Sequence, residues 1–470
     1  MQKRVISLFI GILFLLQNVV TIYSIDFNEL LTEDKSSTIH NLSSIHIPVE
    51  ESNFDALIDI NYLYINGNDD LLEKASQNDW PGHGYEWDPI LIQGYHFRNS
   101  VHLFVVDNTD LYWEFSNNVL DGIDDRYCII VIGNVKNCRI SNNLFLAGAV
   151  GIHSIRVHDC SFVGNVFYNQ SWDGILLENS YKNIILANTF HNLGEGGILA
   201  WENSFGNNIM YNVIYDNPYG VLLWSGSDDN LIQHNRMHDL SLCGIDVQTS
   251  DNRVIYNEIQ MVTGDAISLT APIAEISNNL IHNNTGVGVR ISSSSGEVTI
   301  NHNVFIRNDK GGIQLSDSSD NSIERNDFYE NSKDQAWDSG NENYFAFNYW
   351  HEWIGNDTDD NEIIDTPKQI VGSAGNEDRT PTRSPNNLIP SWYNFEPITG
   401  PPTNPEPTET TTTTTMSSPT STLPPSTSAT TSNRTTDAQA SLLLMIASIS
   451  GASILIIAVI SIVKMKRNDT

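Results

Sequence analysis

One asparagine recurs every 22 to 24 residues through the middle of this chain, and this repeat constrains the fold more than any other feature. It occurs at Asn143, Asn165, Asn188, Asn212, Asn235, Asn257, Asn279, Asn303, Asn326 and Asn348. Self-similarity at a fixed period of this length indicates stacked structural units, each of which buries its apolar face against its neighbours.

Apolar residues recur with the same period as the asparagine. Three residues before it the chain has Ile, Val or Phe, and two residues after it Phe, Ile, Met or Trp. A further column holds glycine, as at Gly174 and Gly220, or alanine at Ala266, and Ile or Val follows directly. From there apolar residues occupy alternate positions over short runs, a period of two that predicts strands rather than helices.

Short strands separated by Asn, Asp and Gly corners predict an all-β fold, a single-stranded right-handed parallel β-helix with coils of 22–24 residues. Successive coils lie about 4.8 Å apart, so equivalent residues stack in columns. The apolar columns are expected to point inward. The asparagines are expected to form a ladder of amide hydrogen bonds at one corner, a structural role rather than a catalytic one.

The open ends of such a solenoid need covering. Asp70 to Gln77, with Leu71, Leu72 and Ala75 on one side, is predicted to form a short amphipathic helix over the N-terminal end. The acidic, non-repeating segment after Trp350 is predicted to cover the other end.

Both termini predict export and anchoring. Lys3 and Arg4 precede an apolar run that ends before the small residue Ser24, the pattern of a signal peptide, with a retained N-terminal anchor as the alternative. Residues 441–463 are apolar and uncharged, and as a helix they would span about 34 Å, enough to cross a membrane. The basic residues that follow predict a cytoplasmic tail.

Residues 401–440 are rich in Thr, Ser and Pro, a composition that favours an extended, O-glycosylated linker. The predicted order is a signal peptide (1–24), an N-terminal segment with its cap (25–79), the β-helix (80–350), an acidic cap segment (351–400), the linker (401–440), a transmembrane helix (441–463) and a cytoplasmic tail (464–470). The β-helix is therefore expected outside the cell, held at the membrane by one C-terminal helix.

Charge and cysteine content exclude some functions. The net charge of −33 argues against nucleic acid or anionic lipid as partners, since both require basic surfaces. Four cysteines are too few for a disulfide scaffold. Cys138 and Cys160 each stand five residues before a ladder asparagine, so they should be neighbours in adjacent coils, either as a disulfide or as two stacked free thiols.

The strand that follows the glycine column should present its outward residues on a broad face. There Trp201 and Trp224 occupy the same column in adjacent coils, with Glu178, Glu202 and Asp246 nearby. Flat indole rings beside carboxylates suit sugar rings and their hydroxyls, which makes these residues candidates for glycan binding. Glu178, Glu202 and Asp246 are also the candidate catalytic acids. The alternative is that a loop or a partner covers the two tryptophans together with Leu176, Leu199 and Leu222, which occupy the neighbouring outward column.

Metal sites are less well supported. Asp357, Asp359, Asn361 and Asp365 supply oxygens at alternate positions, as in a calcium loop, although Glu362 stands where a turn glycine is expected. A solvated acidic loop is the alternative, so calcium is the one cofactor considered. His191, His238 and His282 lie two coils apart in one column, about 9.6 Å, which favours a stacked aromatic row over a shared metal ion.

Two segments flanking the repeat add a family resemblance. W-P-G-H-G-Y-E-W-D-P-I-L-I-Q-G-Y (80–95), together with N-Y-W (348–350) and D-T-D-D-N-E-I-I-D-T-P (357–367), resembles the lead-in and closing segments of NosD-like β-helix proteins, a branch of the pectate-lyase-like superfamily. The resemblance implies the fold over about residues 80–381. It leaves the function open, because this superfamily includes lyases, hydrolases, epimerases, binding proteins and copper-centre maturation proteins.

Three functions follow as hypotheses. The favoured one is a cell-surface β-helix that binds extracellular polysaccharide, with processing of it by a carbohydrate-active enzyme as an open extension. The others are a non-catalytic structural or adhesion component of the cell envelope and a NosD-like copper-site maturation protein. A lyase is disfavoured, because Arg290 is the only basic residue predicted on the outward face and lies about 14 Å from Trp224.

Overall fold

The computed structural model describes residues 57–123, 126–272, 274–292, 296–332 and 334–388. Over these residues the chain forms a right-handed parallel β-solenoid in which a coil contributes one strand to each of three sheets, here named A, B and C. The predicted fold is confirmed for this part of the chain. The predicted signal peptide, linker, transmembrane helix and cytoplasmic tail lie outside the described residues.

Sheet A carries the apolar column that follows the ladder asparagine. Its strands are β1 (Ile58–Ile60), β4 (Tyr95–Arg98), β7 (Val119–Asp121), β10 (Leu144–Leu146), β13 (Val166–Tyr168), β16 (Thr189–His191), β19 (Val213–Tyr215), β22 (Arg236–His238), β25 (Glu258–Gln260), β28 (Leu280–His282), β31 (Val304–Ile306), β34 (Asp327–Tyr329) and β37 (Tyr349–Trp350).

Sheet B follows the glycine column and presents the predicted binding face. Its strands are β2 (Leu63–Asn66), β5 (Phe104–Asp107), β8 (Ile130–Gly133), β11 (Ile152–Ile155), β14 (Ile175–Glu178), β17 (Gly196–Trp201), β20 (Tyr219–Leu223), β23 (Cys243–Val247), β26 (Ile267–Leu269), β29 (Val289–Ser292), β32 (Ile313–Ser316) and β35 (Ala336–Asp338).

Sheet C carries the apolar column that precedes the ladder asparagine. Its strands are β3 (Ile90–Gln93), β6 (Trp113–Ser116), β9 (Cys138–Ser141), β12 (Ser161–Val163), β15 (Ile184–Leu186), β18 (Asn208–Met210), β21 (Leu231–Gln233), β24 (Asn252–Ile255), β27 (Ala274–Ser277), β30 (Val298–Asn301), β33 (Ser322–Glu324), β36 (Tyr344–Ala346), β38 (Lys368–Gln369) and β39 (Glu377–Asp378).

The core runs along the solenoid axis between the three sheets. Both predicted apolar columns are buried, and their aromatic members stack from coil to coil, as do Phe145 and Phe167 with centroids 4.5 Å apart. The glycine column is required by this packing. A Cβ on Gly220 would lie 2.3 Å from the Gly244 carbonyl oxygen and 2.7 Å from the Met237 sulfur, so no larger side chain fits without movement.

The asparagine ladder is present and is longer than predicted. At each step the side-chain oxygen accepts the backbone N–H and the side-chain N–H of the preceding asparagine, as Asn235 does from Asn212, both at 2.9 Å. Asn118 precedes the predicted first member and donates to Asn143. At the other end Asn348 donates to the Asp378 carboxylate, which thus takes the position of a further asparagine.

A second ladder lies at the start of sheet C and was not predicted. It links Asn183, Asn207 and Asn230 in the same manner, and the backbone N–H of Asn230 donates to the side-chain oxygen of Asn252. Cys138 and Cys160 occupy this column in the preceding coils, where the Cys138 N–H donates to the Cys160 sulfur at 3.0 Å and the Cys160 N–H to Asn183. Of the two arrangements expected for this pair, the structure has free, buried thiols.

The N-terminal end is covered by helix α1 (Asn68–Gln77), which begins two residues before the predicted helix. Leu71 and Ala75 are buried against the core of the first coils, as predicted. Leu72 is 43% exposed, so its predicted place on the buried face is wrong. A residue adjacent to Leu71 is rotated by about 100° around a helix, which turns it away from the face shared by positions i and i+4.

The segment after β37 covers the C-terminal end as far as it is described. Strands β38 and β39 pair antiparallel, and β39 joins β36, which extends sheet C beyond the last coil. The segment after β39 is bound by Asp327, because its carboxylate accepts the backbone N–H groups of Asn386 and Asn387. Across the described ranges, no helix is long and apolar enough to span a bilayer.

The ladder makes a testable prediction about stability. Asn235→Ala removes the acceptor of two Asn212 N–H groups and the donor to the Ile209 carbonyl, all buried. Because each buried unpaired group costs about 1–3 kcal/mol, we expect a loss of at least about 3 kcal/mol in the free energy of unfolding. Denaturant titration measures it, with the exposed Asn341→Ala as control. Equal midpoints for the two variants would contradict a structural role for the ladder.

Candidate functional site

The candidate site is the outward face of sheet B, where alternate residues of β14, β17, β20 and β23 point to solvent. Trp201 pairs in register with Glu178 of the preceding coil. Its side chain is 37% exposed, and its indole N–H donates to the Ser225 hydroxyl at 3.0 Å. An exposed ring with its polar atom already bonded presents an apolar surface of fixed orientation.

Trp224 follows in the next coil and is half-buried. Its indole N–H donates to Asp246 at 2.9 Å, and the same carboxylate oxygen accepts the Gln248 side-chain amide at 2.7 Å. The structure therefore brings the two predicted tryptophans and Asp246 together. Asp246 orients an indole ring, a role that its place in the sequence did not specify.

The leucines of the neighbouring outward column do not form a continuous accessible strip. Leu222 is fully buried and Leu199 nearly so, whereas Leu176 is partly exposed. Leu222 packs over Gly196, where a Cβ would lie 3.2 Å from the leucine side chain. The absence of a side chain at Gly196 lets an outward leucine fold back onto the sheet, so the apolar surface of this face is centred on Trp201.

The predicted acids have separate partners. The Glu178 carboxylate meets His153 Nε2 of the preceding coil at 2.9 Å. Glu202 lies in the turn after β17, with a left-handed backbone (φ 47°), and accepts the Asn179 amide at 3.4 Å. Glu178 and Glu202 are thus neighbours in adjacent coils that are held by different groups.

Asp173 was missed by the sequence reasoning and is the most perturbed acid of this face. It precedes the glycine column, is almost fully buried and accepts the Gly196 N–H at 3.0 Å. Burial, with the charge of Glu195 as a smaller cause, raises the pKa of Asp173 to about 7. A carboxyl that titrates near neutrality is a chemically useful group, and the spacing of the repeat did not indicate it, because its raised pKa depends on local burial.

Further along the face Arg290 is neutralised by a partner that the sequence did not suggest. Its guanidinium donates twice to the Asp265 carboxylate and once to the Gln314 side chain at 2.7 Å. Arg290 lies on sheet B as predicted. Its guanidinium forms an ion pair with Asp265 and is therefore not available as a catalytic base.

In the predicted calcium loop, the carboxylate oxygens accept hydrogen bonds from other groups of the same loop. Asp357 accepts the backbone N–H groups of Asn361 and Glu362, Asp359 accepts the Asn361 amide, and Asp365 accepts from Thr358. These bonds draw the carboxylates into turns rather than towards a common centre. Calcium binding at this loop stays a prediction.

The predicted aromatic row is confirmed from His191 to His238, and Gln260 separates His282 from it. His191, Tyr215 and His238 stack with centroids 4.9 and 5.1 Å apart, and His238 also bonds Asp239 at 2.7 Å. Rings stacked face to face keep their nitrogens in parallel planes, so they do not converge on one ion and do not fit a copper centre. In the part of the chain that the structure describes, no group of three or more His, Cys, Asp or Glu side chains is placed to hold a metal ion.

Comparisons with known families match two models. The model of a right-handed β-helix region matches residues 219–366, and that of the periplasmic copper-binding protein NosD matches residues 91–257. No curated protein matches the sequence.

Solved structures that are similar to this chain have low sequence identity to it. A double mutant of the periplasmic alginate epimerase AlgG is 15% identical over 62% of this chain and 84% of its own (TM-score 0.46). The A-module of the Azotobacter vinelandii mannuronan C-5 epimerase AlgE6 is 13% identical over 59% and 92% (0.45). The tailspike of E. coli bacteriophage HK620, in complex with a pentasaccharide, is 13% identical over 60% of each chain (0.42). At these values the similarity assigns no activity to this chain.

The raised pKa of Asp173 predicts a pH-dependent stability. Between about pH 4 and pH 7 the folded chain binds the proton that the unfolded chain has lost, so this group makes the fold less stable as pH rises. Asp173→Asn keeps the acceptor for Gly196 and removes the buried charge. We expect the variant to match the wild type near pH 4 and to exceed it by up to about 4 kcal/mol at pH 8.

Urea titrations at pH 4, 6 and 8 measure this difference, with the exposed Asp251→Asn as control. Asp327, whose pKa burial raises to about 6, is present in every variant, so the comparison isolates Asp173. If the difference in unfolding free energy between the variant and the wild type were the same at all three pH values, Asp173 would not be the source of the pH dependence.

Proposed function

We propose that this chain, which belongs to the NosD-like family of right-handed parallel β-helix proteins, binds extracellular polysaccharide along the outward face of sheet B. The observation that supports the proposal most directly is the exposed indole of Trp201, aligned with Trp224 in the next coil and bordered by carboxylates.

The tryptophans supply the apolar contact that sugar rings require. Trp201 exposes its ring while its N–H is bonded to Ser225, and Trp224 is fixed by Asp246. Such preorganised aromatic surfaces lose little side-chain entropy when a ligand binds. The sugar faces would pack on the indoles in successive coils, about 4.8 Å apart, a spacing similar to the length of one sugar unit.

The carboxylates supply the polar contacts. Glu178 pairs in register with Trp201, and Glu202 and Asp246 lie in the following coils. Ionised carboxylates accept hydrogen bonds from hydroxyl groups, and sugars offer these in fixed directions. The face is open along the solenoid axis, a shape that suits a chain of sugars better than a small molecule.

The location follows from the sequence. The signal peptide (1–24) and the transmembrane helix (441–463) would display the β-helix outside the cell on an O-glycosylated linker, with the short tail in the cytoplasm. A ligand in this compartment would be an extracellular glycan or another envelope component. The alternative of a structural or adhesion component shares this location and differs in needing no ligand on the face.

The proposal predicts that glycan binding depends on the indoles. The full chain in detergent is applied to a glycan array beside the Trp201→Ala/Trp224→Ala double variant. Because each lost aromatic contact is worth about 1 kcal/mol or more, we expect at least a tenfold weaker affinity. Trp87→Ala is the matched control, since Trp87 is 81% exposed but lies before the first full coil.

Three outcomes are informative. Binding lost in the double variant and kept in Trp87→Ala supports the site on sheet B. Binding lost only in Trp87→Ala would move the site to the segment at 80–95. A folded wild-type chain that binds no glycan would leave the structural or adhesion component as the better account.

A further inference from the structure

We infer that Cys128, His153 and Glu178 form a nucleophile, base and orienting carboxylate that take an acyl group from an ester on the bound glycan. The three residues lie on consecutive coils: Cys128 two residues before β8, His153 in β11, and Glu178 in β14 in register with Trp201. The class of substrate, an O-acylated sugar, rests on the proposed function. The acyl-transfer chemistry rests on the three side chains alone.

The geometry is that of a relay. The Cys128 sulfur lies 3.8 Å from His153 Nδ1, and His153 Nε2 lies 2.9 Å from a Glu178 carboxylate oxygen. A carboxylate at Nε2 keeps the proton on that nitrogen, which leaves Nδ1 as the acceptor that faces the thiol. A nucleophile beside a base that a third group orients is the arrangement used in covalent catalysis.

The three side chains of the relay are partly exposed to solvent. The side chains of His153 and Glu178 are 19% and 25% exposed, and Cys128 is half-buried. An open groove of about 940 Å³ at the corner between sheets A and B has Arg126 on its lining, two residues before Cys128. Cys128, His153 and Glu178 do not line this groove, so the relay is approached from the outward face of sheet B.

The thiol is neutral at rest. Burial, together with the negative charge of Asp173, raises the pKa of Cys128 to about 11, although its own backbone N–H acts in the opposite direction. A neutral thiol attacks only if a base removes its proton during the reaction, and His153 is placed to do so. The backbone N–H of Cys128 would donate to the oxygen that becomes negative during attack.

Cys243 provides a contrast within the same column of sheet B. Its sulfur donates to the Ile245 carbonyl of its own strand at 3.4 Å, and the side chain is buried. The pKa of this thiol is raised further than that of Cys128 by the same cause, burial. The fold therefore accepts a cysteine at this position without an imidazole beside it. The placement of His153 next to Cys128 is then not a requirement of packing.

The ester is cleaved in two stages, acyl transfer to Cys128 and hydrolysis of the resulting thioester. The Cys128 proton passes to His153 Nδ1 as the sulfur–carbon bond forms, and the carbon–oxygen bond to the sugar breaks. The departing sugar oxygen takes the proton from His153, which leaves a thioester on Cys128. Water then attacks the thioester and gives its proton to His153, the carboxylic acid leaves, and the proton returns to the thiol. No oxidant, reductant or metal ion takes part.

The test uses p-nitrophenyl acetate, an ester without a sugar, on the full chain at pH 7. We expect release of p-nitrophenol with transfer of one acetyl group to the peptide that contains Cys128, detected by mass spectrometry. His153→Gln should slow acetylation about 100-fold or more, and Glu178→Gln about tenfold through a misoriented imidazole. Cys128→Ala should abolish it, and the control Cys243→Ala should react as the wild type does.

Two results would overturn the inference. One is equal acetylation in the wild type and in folded His153→Gln at pH 7. The other is a wild-type rate that rises only as the thiol ionises, above about pH 10, since His153 would then not act as a base. The glycan array is a separate test of the proposed function, so acetylation without glycan binding would remove the sugar substrate and keep the relay.

Discussion

The amide ladder at the corner between sheets C and A is the interaction on which the rest of this solenoid depends. Each asparagine oxygen accepts two N–H groups from the coil before it, and each side-chain N–H group returns to that coil or continues to the next. A buried corner would otherwise hold unpaired backbone groups, which are costly. Because every coil must place an asparagine at the same point, the ladder fixes the register of the strands. Register in turn decides which residues share a column on the outward face.

The ladder also explains how the solenoid ends. A column of donors and acceptors needs a last acceptor, and Asp378 supplies it with a carboxylate that takes the Asn348 backbone N–H and side-chain N–H together with the Trp350 indole N–H. Burial raises the pKa of Asp378 while these bonds favour its charged form. A residue 30 positions beyond the last ladder asparagine thus completes a pattern that the repeat itself leaves open. The C-terminal segment is a cap because it satisfies the ladder as well as covering apolar surface.

The sequence predicted the features that a period can encode and missed those that depend on single contacts between coils. The ladder, both apolar columns and the row of His191, Tyr215 and His238 follow from spacing alone, because identical positions in successive coils must stack. The burial of Leu222 depends on a missing side chain at Gly196, which the spacing does not reveal. The raised pKa of Asp173 likewise depends on local burial. The second ladder was hidden because cysteines fill its column in two coils.

A solenoid brings chemistry together in a way that a globular fold does not. Cys128, His153 and Glu178 are separated by 25 residues at each step, yet they meet in three consecutive coils. His153 and Glu178 are fixed by β11 and β14, whose backbones are bonded to a strand on each side, and Cys128 lies two residues before β8. The same register that aligns Trp201 with Trp224 sets Glu178 beside Trp201. A shift of one residue in strand register would turn these side chains to the other face, so the ladder, which fixes the register, determines the site as well as the fold.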